Sequence, residues 1–249
     1  MPNGRYALIA DIHANVDALQ VVLAELAKEG IEKILCLGDL VGYNASPGEV
    51  LDVAMKPGMV SINGNHDRYV TGVTPLDPSI KKDTAFIIQW TRGNITPEQN
   101  GRLEVLPRQR VIDETILLVH GSPRHEDEYI LSVNQYKENI QFVSDNFVGI
   151  DVTFFGHTHV PVIVARGTLM SNIHENKTVK LDADKLYLIN PGSVGQPRDG
   201  CPLASFGIYD PAERTVTIRR VEYDIKAAQE KVLAAGFDAR MAKRLELGR

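Results

Sequence analysis

Short apolar runs alternate with amphipathic stretches through the first part of the chain, and that alternation predicts parallel βαβ units. Arg5 to Ala10 reads as a buried strand. Asn15 to Lys28 follows with Val16, Leu19, Val22, Leu23 and Leu26 at helical spacing, and Gly30 stops it. A strand at Lys33 to Leu37, a helix at about Ser46 to Met55 and a strand at Met59 to Ile62 continue the pattern. From Pro78 to about Pro107 the periodicity is helical, interrupted near Gly93-Asn94 and restarted at Thr96-Pro97.

Beyond Pro107 the period shifts toward strands, at Arg110–Asp113, Thr115–Val119, Val152–Phe155, Val160–Ala165 and Lys185–Ile189, with a helix over Val133–Asn146 among them. Ala204–Tyr209 and Thr215–Glu222 read as a hairpin around Asp210-Pro211. The tail over about 225–247 reads as two short helices split by Gly236. With no internal repeat and no Pro- or Ser-rich linker, residues 1–249 are expected to form a single α/β domain.

Composition narrows the partners. A net charge of −5, with Lys and Arg scattered, does not fit a protein built to grip nucleic acid, which relies on a basic face for phosphate contacts. Cys36 and Cys201 lie far apart and have no zinc-site spacing, so neither a disulfide framework nor a structural zinc is expected. No signal-like or membrane-length apolar segment stands out, which makes the cytoplasm the expected compartment.

Candidate chemistry lies where the strands end. Arg5–Ala10 runs into Asp11-Ile-His13, Lys33–Leu37 into Gly38-Asp39, and Met59–Ile62 into Asn63-Gly-Asn65-His66-Asp67. Thr115–Val119 runs into His120, Val152–Phe155 into Gly156-His157-Thr-His159, and Lys185–Ile189 into Asn190-Pro-Gly-Ser193. Ligand sites of open α/β sheets gather at the carboxyl ends of strands. If the chain stays extended there, Asp11 and His13 share a side, as do His157 and His159. Five of the seven histidines fall in these positions. Nitrogen and oxygen donors without thiolate suit Mn, Fe, Zn, Ni or Co, and they exceed one tetrahedral site, so two divalent metal ions sharing a carboxylate are expected. The surplus positive charge of such a site matches a phosphate ester.

The succession Asp11-x-His13, Gly38-Asp39, Gly64-Asn65-His66-Asp67, His120-Gly121 and Gly156-His157-Thr-His159 resembles the calcineurin-like metallophosphoesterase superfamily, over residues from about 5 to 222. Asp11-Ile-His-Ala-Asn15 and Asn190-Pro-Gly-Ser-Val-Gly195 are most similar to its small bacterial phosphodiesterase-like branch. The resemblance implies a four-layer α/β/β/α sandwich with two mixed sheets. It implies one metal on Asp11, His13 and His159, a second on Asn65, His120 and His157, and Asp39 bridging. His66 is then catalytic, stabilising the transition state or protonating the leaving oxygen, with carboxylates such as Asp39 favouring its charged form. Asp67 is expected to brace the loop.

The protein serine/threonine phosphatases of that superfamily carry an Asp-Arg pair soon after the bridging aspartate, and Gly38-Asp-Leu-Val-Gly-Tyr-Asn-Ala45 lacks it. Phosphate clamping then falls to Arg198 or Arg124, while Tyr43 and Asn44 are candidates for the leaving-group pocket. The expected activity is hydrolysis of small phosphate esters by metal-activated water, with phosphodiesters favoured. Phosphomonoesters or dinucleoside polyphosphates are the alternatives within the enzyme reading, and a non-catalytic scaffold that retains a metal site is the alternative outside it. The stretch from Val70 to Gln109 is expected to decide the substrate.

Overall fold

Strand β1 (Tyr6–Ile9) shows why the chain builds layers. Its side chains are all buried and alternate between two cores: Tyr6 and Leu8 face one, Ala7 and Ile9 the other. A strand apolar on both faces needs cover on both faces. In this computed structural model, which describes residues 4–56, 58–171 and 173–249, a second sheet covers one face and helices cover the other.

The first sheet takes the order β3 (Met59–Ser61), β2 (Lys33–Cys36), β1, β11 (Ala204–Asp210), β12 (Thr215–Val221), β9 (Lys177–Lys180). The second takes β4 (Gln109–Ile112), β5 (Ile116–Val119), β6 (Val152–Phe154), β10 (Tyr187–Asn190), β7 (Val162–Ala165), β8 (Thr168–Met170). β1, β2 and β3 are parallel, as are β5, β6 and β10; the outer strands are antiparallel, so both sheets are mixed. β5 repeats the alternation, with Ile116 and Leu118 between the sheets and Leu117 and Val119 toward α6 (Val133–Asn146).

The inter-sheet core joins Leu8, Leu35 and Leu37 to Leu118, Phe154 and Ile189, all fully buried. Truncating Leu8 to alanine there costs about 2–5 kcal/mol. Helices α1 (Val16–Lys28) and α2 (Pro47–Ala54) cover the outer face of the first sheet and α6 that of the second, completing the four layers. Each of these helices is expected from the spacing, and Ser132 caps α6 by accepting from Gln135 N.

Three elements depart from the expectation. Helix α3 (Asn65–Thr71) begins inside what reads as a strand-end loop, because Asp67 turns back to accept from Gly64 N and stabilises the first turn. Strands β8, of three residues, and β9, polar but for Val179, are short edges whose apolar signal is too brief to read as a strand. The helical stretch divides into α4 (Lys82–Gly93) and α5 (Pro97–Glu104) at the expected place, where Thr96 and Gln99 exchange hydrogen bonds. The tail forms α7 (Ile225–Ala234) and α8 (Ala239–Leu247). Val232, Phe237, Met241 and Ala242 pack with Ile87 and Trp90 of α4, which brings the end of the chain beside the carboxyl edge of the first sheet. Among the described residues no helix is long and apolar enough to cross a membrane.

Candidate metal centre

The turns that leave β1, β2 and β6 do not stay extended. Asp11, His13, Asp39, His157 and His159 all take positive φ, between 47° and 66°. The expectation of an extended Asp11-x-His13 and His157-x-His159 is therefore corrected. The left-handed region is disfavoured for residues with a Cβ, by about 1–3 kcal/mol each, and persists where surrounding bonds fix it. Those bonds are main-chain ladders between the turns. Asp11 N donates to Gly38 O at 3.1 Å, His13 N to Asp39 O at 2.9 Å, and Ala14 N to Leu40 O at 2.8 Å.

The segment from Asn190 to Gly195 braces the other side. Ser193 Oγ donates to Asp11 O at 2.7 Å and Gly195 N to the same oxygen at 3.0 Å. Asn190 Nδ2 donates to Gly156 O at 2.7 Å and reaches Thr158 Oγ1 at 3.0 Å, so it tightens the His157–His159 turn. The side chains converge because these main chains are tied together.

Every sequence-derived ligand candidate lies in one cluster, buried except for Asn65, which is half-buried at the cavity. Asp11, His13, Asp39 and His159 place one ligand atom each within 4.8 Å of one another, and Asp39, His120 and His157 form a second such group. Asp39 is common to both, and Asn65 Oδ1 lies 3.2 Å from His120 Nε2. Nδ1 of His13, His120 and His159 faces a main-chain carbonyl, of Val41 at 3.1 Å, Leu37 at 2.8 Å and Gln196 at 2.6 Å respectively. Carbonyl oxygens only accept, so each Nδ1 carries a proton, and the Nε2 atoms of His13 and His159 present lone pairs inward while His120 Nε2 faces Asn65 and His157.

Two consequences test whether the residues fit a cation. His13 Nε2 and His159 Nε2 stand 3.1 Å apart as two acceptors. Burial holds both imidazoles well below their ordinary pKa, so no proton relieves that contact. On the other side burial works against charge on His120, but Asp39 outweighs it and pushes His120 up to about 9. A proton thus takes the place between His120 Nε2 and His157 Nδ1, 3.1 Å apart. Burial also opposes charge on Asp39, yet His120 and His66 hold it well below the usual carboxylate range, while burial pushes Asp11 up to about 7. Convergent lone pairs around one shared carboxylate suit divalent cations.

His66 lies beside the shared carboxylate and outside both groups. Its N–H donates to Asp39 Oδ1 at 2.9 Å, and its ring packs against Tyr43 and His13 at centroid distances of 4.4 and 4.8 Å. Burial pushes its pKa down to about 4, with Asp39 opposing and Arg198 assisting, so the expected charged imidazole gives way to a neutral one. Its Nδ1 is buried without a partner. Gly42 permits this packing, since a Cβ there would meet that Nδ1 at 2.5 Å. Asp67 accepts from Leu40, Val41 and Gly64 N–H groups and so braces the two turns.

The substrate-contact candidates separate. Tyr43 and Arg198 line a cavity of about 620 Å³ that opens from Asn65 and His66. Asn44 does not: it is buried, and its Nδ2 donates to His13 O at 2.9 Å, so it holds the turn. Arg124 lies outside the cavity lining, its guanidinium bonded to Glu128 and Glu138. The stretch from Val70 to Gln109 contributes Ile80, Lys81, Asp83 and Thr84 to the cavity.

Sequence reading missed Tyr129, whose ring lies 3.8 Å from that of His157, and Arg240, Met241 and Arg244 of α8. No local pattern marks them, because the packing of the tail on α4 brings α8 to the cavity.

Residues 5–214 match the family model described as the calcineurin-like phosphoesterase superfamily domain. An uncharacterized protein of Methanocaldococcus jannaschii is 40% identical over 255 residues, covering 100% of both chains. Phosphodiesterase YfcE of Escherichia coli is 27% identical over 207 residues, 81% of this chain and 84% of that protein. The crystal structure of a metallophosphoesterase from Sphaerobacter thermophilus superposes with a TM-score of 0.85 at 34% identity, covering 98% of this chain and 99% of that one. Sequence match, fold and a buried Asp/His cluster agree, and the chain belongs to the calcineurin-like phosphoesterase superfamily as a metal-dependent phosphoric ester hydrolase.

Proposed function

We propose that this chain hydrolyses small phosphate esters, phosphodiesters foremost, at a centre of two divalent cations. Asp11, His13 and His159 would hold one, Asn65, His120 and His157 the other, with Asp39 shared. The observation that carries the reading is the pair of buried ligand groups with Asp39 in common, beside an unpartnered His66 nitrogen and an open cavity. Bound cations of this kind lower the pKa of water toward about 7 and offset the negative charge that grows on phosphoryl oxygens. The donor set suits Mn, Fe, Zn, Ni or Co.

The chain's own residues supply the rest. Arg198, with its Nε unpartnered, is the phosphate clamp in this reading. Neutral His66 donates a hydrogen bond to developing phosphoryl charge; a phosphate anion beside it raises its proton affinity, so the ring can take up a second proton from solvent and pass it to the leaving oxygen, returning to the neutral form. Preference for diesters draws on the likeness to the phosphodiesterase of Escherichia coli. We place the activity in one domain of residues 1–249, supported by the packing of the tail on α4. We place it in the cytoplasm, supported by two free cysteines.

The test is a matrix of Mn²⁺, Ni²⁺, Zn²⁺ and Mg²⁺ against bis(p-nitrophenyl) phosphate and p-nitrophenyl phosphate. Diester turnover above monoester turnover with at least one metal is expected. No hydrolysis of either ester with any metal overturns the reading in favour of a scaffold.

A further inference from the structure

The wall of the cavity beyond Tyr43 carries charge that hydrolysis of a simple diester leaves unused. Arg198 Cζ lies 5.4 Å from the Tyr43 ring centroid and Arg244 Cζ 5.5 Å from the same centroid, so one aromatic ring serves two guanidiniums. Elsewhere in the fold the buried or clustered arginines have carboxylate partners. Arg68 is bonded to Asp127, Arg220 to Asp199, and Arg240, in the same cavity wall, to Asp238 and Asp83. Among the described residues neither Arg198 nor Arg244 pairs with an Asp or Glu side chain. Arg198 has Tyr129 as its side-chain partner and an orphaned Nε, and Arg244 donates only its Nε, at 2.9 Å, to a carboxyl oxygen of Arg249, the last residue.

Two like charges beside one ring, partly removed from water, are unfavourable in the free protein. Burial and Arg198 together pull the Arg244 pKa down, which registers that cost. The fold nevertheless holds Arg244 there. Helix α8 is capped by Asp238, which accepts from Arg240 N, and is anchored by buried Met241, Ala242 and Leu245. Lys81, exposed and without an ion pair among the described residues, lines the cavity as well. Asp83 is the one carboxylate in the lining, and Arg240 already engages it. The cavity is therefore locally cationic in a chain of net charge −5.

A single phosphodiester brings one negative charge, which the metal centre and Arg198 already answer. Arg244 and Lys81 remain for a second anionic group. The cavity, about 620 Å³, falls within the usual range for small-molecule sites and has room for more than the scissile phosphate.

We propose that Arg244 and Lys81 form a second anion subsite, and that the preferred substrate is a phosphate ester carrying a further phosphate group on the same molecule. This rests on the hydrolase reading of the centre. It adds a specificity determinant supplied by the C-terminal helix.

The test compares calorimetric binding of adenosine 3′,5′-bisphosphate and adenosine 5′-monophosphate to the Mn²⁺-loaded protein. The bisphosphate is expected to bind about tenfold tighter or better, a ratio that Arg244→Gln reduces to below about threefold and Arg244→Lys largely keeps. Arg240→Gln removes a cation already matched by carboxylates, so it should leave the ratio within about twofold. Should Arg244→Gln fail to fold, Lys81→Gln, on an exposed side chain, must lower the ratio at least threefold or so. No bisphosphate preference in the wild type, or an equal loss with Arg240→Gln and Arg244→Gln, overturns the subsite. An intact, Arg244-dependent ratio in a protein that hydrolyses no ester sinks the hydrolase reading and upholds the subsite; hydrolysis without the ratio does the reverse.

Discussion

The floor and the rim of the cavity are built by different means. On the floor, the main chain places nearly everything: five ligand candidates sit at positive φ on turns tied together by backbone bonds, and each is buried. On the rim, long side chains reach in from elements far apart in sequence: Tyr129, Arg198, and Arg244 of α8. A main chain crossed by this many bonds has no neighbouring minimum to relax into, so floor geometry tolerates little change. Side chains on a rim can be exchanged without moving a strand. Chemistry is therefore fixed at the floor, and selectivity is tunable above it.

This contrast can be broken at its strongest point first. Asp39→Asn should deplete metal from both groups at once. It should cost more activity than the roughly 10–100-fold typical of residues that only support a ligand. Metal analysis by plasma mass spectrometry checks this, with the chelator-treated wild type as the matching control. Retention of two metals with full turnover would show that the floor is not organised around that carboxylate.

His66→Ala tests a floor residue that binds no metal in this reading. Turnover is expected to fall by about 10²–10⁴ with metal content unchanged. Wild-type activity in that variant would sink its role.

On the rim, Arg198→Ala should raise KM by about tenfold while leaving the metals in place. Steady-state kinetics with metal analysis separates this from damage to the floor.

The smallest effect concerns how α8 is held. Asp238 is pulled down to about 2 by its bonds to Arg240, below the ordinary carboxylate value of 3.8. A depressed carboxylate contributes stability above its unfolded pKa and loses it as pH falls through the folded one. The stability difference between wild type and Asp238→Asn should therefore be full above about pH 4 and vanish toward pH 2. Thermal melts across that range measure it, and a difference that grows on acidification would refute the cap.

Much of the architecture was legible because it rests on local periodicity. The bounds of α6 follow from the spacing and from Ser132 and Gln135 at its start. The doubly apolar β1 and β5 announce a sheet covered on both faces. Helix α3 was not legible, since its first turn depends on Asp67 reaching Gly64 N while also bracing β2's turn.

What the sequence by itself determined is the set of candidate donors. Asp11, His13, Asp39, Asn65, His120, His157 and His159 sit at strand ends, and parallel strands carry their ends to one edge. Three matters only the tertiary structure decided. The turns go left-handed instead of extended. His66 is neutral, because burial there outweighs the attraction of Asp39. Asn44 and Arg124 are spent on bracing and ion pairs, while Arg244, some 200 residues from Tyr43 along the chain, becomes its neighbour. Periodicity and residue type are local and survive in one dimension. Burial, charge pairing and the contacts of long side chains depend on which elements pack together, and no stretch of sequence contains that on its own.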